Sequence, residues 1–188
     1  MEAADRAMYT AKHLGRNQVR SADDPAVAAL LATSAAGGSR EAAALLGTVE
    51  ALAALVDARD QHTAQHAQDV AAVALRLALT LGLDPAEARV VSLAARLHDI
   101  GKVAAPDAVL QKPGRLTEEE WLVIRQHPVV GAAVVERVPA IRAFAPLIRG
   151  HHERWDGQGY PDSLAGEAIP LGARIIAVAD AYGAMTTE

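Results

Sequence analysis

His98 stands beside Asp99, His151 beside His152, and six of the seven histidines fall between His62 and His152. Neutral imidazole nitrogens and carboxylate oxygens are the ligands of zinc, iron and manganese, and one aspartate with two oxygens can bridge two ions. Asp99 and Asp180 are the carboxylates that a helical fold can bring to these histidines. A bridged pair of ions lowers the pKa of a water and clamps a phosphodiester for in-line attack. The chemistry suggested is therefore metal-assisted hydrolysis. Any one of these histidines alone reads as an ordinary structural or surface residue; the argument rests on the ordered set.

Elements that can gather residues so far apart must be long and closely packed. The chain has 188 residues, 51% hydrophobic but only 3% aromatic, so Ala, Leu and Val carry the apolar volume. Ala is the best helix former, and small side chains suit close helices, so the fold is expected to be all-α. The spacing predicts a long helix over residues 40 to about 60, with Leu45, Val49, Leu52, Leu55 and Val56 on one stripe. Such a stripe is core or a packing seam; a dimer-forming signalling helix is the alternative.

A second helix, roughly 63–81, places Val70, Val73, Leu77 and Leu81 on one face and His62 and His66 a turn apart near its start, with Gly82 ending it. Asp84 then serves as N-cap and Pro85 as first helical residue of a helix carrying Val90, Leu93, Ala94 and Leu97 into His98 and Asp99. Thr117 to Glu120 forms a capping box for a helix through Trp121 and Ile124, with His127 at or near its end. Helices over 129–138 and 140–150 deliver His151 and His152, a glycine-rich loop follows, and a helix over 171–185 bears Asp180.

Charge narrows the substrate. A net charge of −5 gives no general attraction for a nucleic-acid polymer or an anionic membrane, so an anionic substrate must be held by local cations or metals in a pocket. The chain has no cysteine, which removes disulfide and thiolate chemistry. No apolar run reaches transmembrane length and the charged start is not a signal peptide, so a cytoplasmic location is expected.

His66, then His98-Asp99-Ile100-Gly101-Lys102, then His127-Pro128, then the run from His151 to Pro161, then Asp180 resemble the ordered motifs of the HD-GYP family, from about Val56 to the last residue. The resemblance implies an all-helical HD-domain bundle that hydrolyses the bacterial second messenger cyclic di-GMP to pGpG, and in some members on to GMP. It implies two divalent ions, iron or manganese before zinc: one held by His66, His98 and Asp180, a second by His127, His151 and His152, with Asp99 bridging. His62 stays open between a ligand of a third ion and an exposed helix start. Lys102 is expected to point at the scissile phosphate, where a fixed cation stabilises developing charge. Glu153 is expected to orient an imidazole, with an ion pair to Arg154 as the alternative. Asp156, Gly157, Gly159, Tyr160 and Pro161 form the loop beside the substrate, where Tyr160 stacks on guanine or the loop is purely structural. Trp155 is expected in the core.

Residues 1–20, with a short helix ended by Gly15, resemble the last helix of a GGDEF domain, without that family's nucleotide-binding residues; a stray N-terminal amphipathic helix is the alternative, and 21–39 read as a linker with a short helix over 25–32. The HD-GYP portion is expected over 40–188, stopping before the arginine-containing segment and further helices of the family, with Gly183 where Asp is common. Exposed apolar surface on the final helix is the expected cost. That departure keeps two other readings: a catalytically weak, metal-containing regulatory or nucleotide-binding module, and an HD-type hydrolase of another nucleotide.

Overall fold

The computed structural model describes residues 40–59 and 63–186. The expectations for residues 1–39 and for His62 lie outside the described residues. The elements are α1 (Arg40–Asp57), α2 (Thr63–Thr80), α3 (Pro85–Arg96), a 3₁₀ turn (Ile100–Ala104), α4 (Asp107–Leu110), α5 (Glu118–Ile124), α6 (His127–Glu136), a 3₁₀ turn (Pro139–Phe144), α7 (Ala145–Arg149), a 3₁₀ turn (Gly166–Ala168) and α8 (Leu171–Thr186). Every described element is helical, and an isolated bridge between Asp156 and Ala165 is the nearest approach to a sheet among them.

α2 packs along α3 on one side and α8 on the other, α6 packs on the Ile100–Ala104 turn and α7, and α1 lies over α2 and the same turn. The core around α2 and α3 is rich in small residues. Val70, Ala74 and Ala78 join Ala88, Val91, Ala94 and Ala95 in one buried cluster. The larger Val73, Leu77, Val90 and Leu93, expected at the centre of these faces, flank it half-buried. Leu55 and Leu81 are exposed. The Ser92 hydroxyl donates to the Ala71 carbonyl at 3.0 Å and ties α3 to α2.

Helix ends carry the predicted signals. The Asp84 carboxylate accepts from the amides of Ala86 at 2.7 Å and Glu87 at 2.9 Å, while Glu87 accepts from the Asp84 amide at 3.2 Å. Thr117 and Glu120 exchange the same pair of bonds at 3.3 and 2.7 Å. Each box satisfies donors that a first helical turn leaves free. His127 opens α6 rather than closing α5, since Arg125 caps α5 and Pro128 suits the first turn of a new helix. The helix expected over 140–150 is broken in two, with Pro146 starting α7.

The end of α1 grips both sides of the His98–Asp99 pair. Asp57 bonds the buried guanidinium of Arg96 at 3.0 Å, two residues before His98. Arg59 donates to the Val103 carbonyl, to the Ala105 carbonyl at 3.0 Å and to Asp107, just after Lys102. At the other end of the chain, α8 leaves Val178, Tyr182 and Met185 exposed, the apolar surface anticipated there. Among the described residues no helix is long and apolar enough to cross a membrane.

Candidate metal centre

Three imidazoles hang from helix ends in the same way. The Nδ1 of His98 lies 2.8 Å from the Ala95 carbonyl, that of His127 2.8 Å from the Ile124 carbonyl, and that of His151 2.6 Å from the Ile148 carbonyl. The carbonyls at a helix C-terminus lack intrahelical partners, so a ring three residues on can satisfy one. A carbonyl only accepts, which places a hydrogen on Nδ1 and turns Nε2 inward. This is the tautomer a metal-binding histidine uses, with the outer nitrogen fixed by a second partner.

The inward nitrogens converge on two carboxylates. Nε2 of His66 is 2.9 Å from Asp180 Oδ1, and Nε2 of His98 is 3.7 Å from the same oxygen. Asp99 turns its oxygens in different directions: Oδ2 lies 3.3 Å from His98 Nε2, and Oδ1 lies 3.2 Å from His127 Nε2. His127 and His151 meet Nε2 to Nε2 at 3.2 Å. Donor atoms of His66, His98 and Asp180 form one group within 4.8 Å of one another, those of His127, His151 and His152 a second, and those of His98, Asp99 and His151 a third that overlaps both. The structure thus brings together every described residue expected as a ligand.

Glycine makes this convergence sterically possible. A Cβ on Gly101 would lie 1.9 Å from the His127 carbonyl oxygen and 2.6 Å from the Gly131 amide, so the turn after Asp99 packs backbone to backbone against the head of α6. No other residue allows that approach. At the far side, a Cβ on Gly183 would come 2.9 Å from Cε1 of His66.

Electrostatics favour an added cation. Burial opposes charge on His98, but the Asp99 carboxylate and then Asp180 outweigh it and raise its pKa to about 9. Burial likewise opposes ionisation of Asp99, yet His98, Lys102 and His127 hold its pKa well below the usual carboxylate value. His127 and His151 are pushed down by burial, and His152 is pushed down to about 4 by burial and then by His127. The result is a buried anion beside one imidazole, His98, that favours a proton and three, His127, His151 and His152, that resist one. Nitrogen and carboxylate donors of this kind fit a zinc, iron or manganese ion, so the residues present suit a divalent metal.

Lys102 sits on the Ile100–Ala104 turn, its Nζ 2.7 Å from Asp99 Oδ2. The loop after His152 differs from expectation in two places. Glu153 is buried but orients no imidazole: it accepts from the amides of Asp162 at 2.6 Å and Leu164 at 2.9 Å, closing the loop on itself. Its alternative partner, Arg154, pairs instead with Asp156 at 2.6 and 3.0 Å. Trp155 is exposed, not in the core, and the Arg174 guanidinium lies 5.4 Å from its ring centre.

Asp156, expected against substrate, is exposed and engaged by Arg154 and, at 3.0 Å, by the Gln158 amide, which together lower its pKa to about 2. The Tyr160–Pro161 peptide is cis. The Tyr160 ring stacks on His152, with centres 4.8 Å apart and planes 26° apart, and the Arg125 guanidinium lies 5.2 Å from the Tyr160 ring centre. Arg125 went unnoticed in the sequence; its place two residues before His127 was the available signal.

The chain is 46% identical over 140 residues to the cyclic di-GMP phosphodiesterase response regulator RpfG of Xanthomonas campestris pv. campestris, an alignment covering 73% of this chain and 37% of that protein. It is 41% identical over 136 residues to the 3'3'-cGAMP-specific phosphodiesterase 2 of Vibrio cholerae, covering 71% and 26%. To a cyclic di-GMP phosphodiesterase of Thermotoga maritima it is 39% identical over 146 residues, covering 77% and 40%. The chain therefore spans well under half the length of each of these relatives. The HD domain profile matches residues 50–188, which contain both donor groups and the turn that joins them, and the chain belongs to the HD domain family.

Proposed function

We propose that this chain is an HD-GYP-type domain that hydrolyses cyclic di-GMP to linear pGpG with two divalent ions, iron or manganese before zinc. The observation that carries the reading is Asp99, whose two oxygens face His98 and His127, one from each donor group, at 3.3 and 3.2 Å. His66, His98 and Asp180 would hold one ion, His127, His151 and His152 the other, and Asp99 would join them. Ions so held would supply Lewis acidity to the phosphoryl group and acidity to a water at neutral pH.

The chain's own residues prepare the rest. Lys102 brings a partly exposed cation beside Asp99, where it offsets negative charge that grows on a phosphodiester undergoing substitution. Carbonyl anchors on His98, His127 and His151 hold the inward Nε2 atoms in place before any ligand arrives. The loop from Gly157 to Pro161 borders the His127, His151 and His152 group through Tyr160 and offers its backbone to a nucleotide. On this reading the chain acts in the cytoplasm, and Leu46 and Leu55, exposed on α1, are available to a homodimer.

A second substrate has a specific observation in its favour. The relative named for 3'3'-cGAMP matches at 41%, within the range of those named for cyclic di-GMP, so overall similarity does not separate the two dinucleotides. The deciding experiment purifies the chain anaerobically, quantifies bound metal, and follows cyclic di-GMP and 3'3'-cGAMP separately with iron(II) or manganese(II), with Asp99→Ala as control. Faster conversion of cyclic di-GMP to pGpG, lost in the variant, supports the proposal. Preference for 3'3'-cGAMP moves it to the second substrate, and bound metal with no turnover of either leaves a regulatory module.

A further inference from the structure

His152 is held unlike its neighbours. His98, His127 and His151 each give Nδ1 to a carbonyl three residues back, whereas the His152 ring makes no hydrogen bond to a described residue. Its side chain is in contact instead with aromatic surfaces: His151 at 4.0 Å, His127 at 4.9 Å and Tyr160 at 4.8 Å between ring centres. The Tyr160 contact is the most nearly parallel of the three, at 26°. A ring with no outer hydrogen bond needs another means of fixing its χ angles, and a stacked aromatic face supplies one.

The loop is built to deliver that face. The Tyr160 amide donates to the His152 carbonyl at 3.2 Å, tying the two residues through the backbone as well as through their rings. A Cβ on Gly159 would lie 2.3 Å from the Arg154 amide nitrogen and 2.5 Å from the Glu153 Cα, so the chain doubles back on itself immediately before Tyr160. Glu153 closes the same loop from within by accepting the Asp162 and Leu164 amides. Arg125, exposed at the end of α5, then places its guanidinium 5.2 Å from the Tyr160 ring centre, in cation–π range. Arg125, Tyr160 and His152 form a continuous column from the surface to the second donor group.

We propose that Tyr160 is the positioning residue of His152, that Arg125 secures Tyr160, and that this column sets the affinity of the metal position formed with His127 and His151. The inference rests on the reading of His152 as a metal ligand. It assigns the tyrosine of the loop to the metal rather than to a guanine base, because the ring is already stacked.

The test is calorimetric titration of manganese(II) into the metal-free chain, with electron paramagnetic resonance reporting the exchange-coupled pair. Tyr160→Leu is expected to weaken one of two manganese sites by about 10–100-fold, the usual effect of losing a group that orients a ligand, and to leave the other unchanged. Tyr160→Phe, which keeps the ring, is expected to bind like the wild type and to retain the coupled signal. Arg125→Gln, a surface change that spares the fold, is expected to weaken the same site several-fold, and it decides the matter if Tyr160→Leu does not fold. A folded Tyr160→Leu or an Arg125→Gln chain with both sites at wild-type affinity overturns the proposal alone, as does a Tyr160→Phe chain that fails as Leu does. A wild-type chain that takes up a single manganese overturns the two-ion reading beneath it.

Discussion

His127 and His151 face each other nitrogen to nitrogen at 3.2 Å, each with its other ring nitrogen already given to a backbone carbonyl. Two lone pairs at that distance repel unless something positive lies between them. Burial drives both imidazoles away from protonation, so a proton is a poor choice. A divalent cation resolves the contact, and Asp99, held ionised nearby, offsets its charge.

Asp99→Ala removes the group that faces both donor groups. Turnover of cyclic di-GMP is expected to fall by about three orders of magnitude or more, since a metal centre of this kind supplies several kcal/mol of charge stabilisation. The rate of pGpG formation, with circular dichroism to confirm the fold, is the measurement. Near-normal turnover would remove Asp99 from the centre.

Stability of the metal-free chain should depend on pH in both directions from about 6.5, the value of a free histidine. His98 is raised to about 9, so its contribution is full below 6.5 and is lost as pH climbs through 9. His152 is lowered to about 4, so its contribution is present above 6.5 and is lost as pH falls through 4; His127 and His151 act in the same sense. The His98 and His152 effects should each amount to about a few kcal/mol. Thermal melts in EDTA from pH 4 to 9 report it, and a midpoint that rises steadily from 6.5 to 9 contradicts the His98 assignment.

Gly101→Ala forces a methyl group into the His127 carbonyl, a backbone atom that cannot swing aside. A loss of about 3 kcal/mol or more is expected, the upper end of overpacking costs, together with weaker metal binding. Urea midpoints and manganese titration measure the two effects, and a stable variant with normal metal affinity would show that the turn can retreat from α6 without consequence.

Glu153→Ala leaves the Asp162 and Leu164 amides without their acceptor. The loop should open locally at a cost of about 1–3 kcal/mol, visible as faster hydrogen exchange at those two amides while exchange in α2 and α3 is unchanged. Unaltered protection at 162 and 164 would mean that Glu153 does not close the loop.

The histidine and aspartate set was legible because ligand chemistry restricts residue type, and Asp84 and Thr117 were legible because caps are local. The faces of α2 and α3 were legible in part: Val70, Ala94 and Leu97 are buried as expected, while Val73, Leu77, Val90 and Leu93 are half-buried and Leu81 is exposed, since hydropathy ranks leucine above the alanines that fill the core. Glu153 misled for a related reason: a carboxylate next to two histidines suggests an imidazole partner, but its bonds reach residues 162 and 164, a distance set by how the loop folds back. Arg125 and the carbonyl anchors depend on where helices stop and meet, which pattern alone does not reveal.

The contact between α2 and α3 has a dimensional consequence. His66 projects from α2 and His98 follows α3, so the width of the first donor group is gauged by the gap between those two helices. Helix axes settle about 8–10 Å apart according to the side chains between them, whereas metal–ligand bonds tolerate only about 0.2 Å. Ala74, Ala78, Ala88, Ala94 and Ala95 fill the core around these helices with single methyl groups. The packing of α2 against α3 thus bears on whether an ion fits.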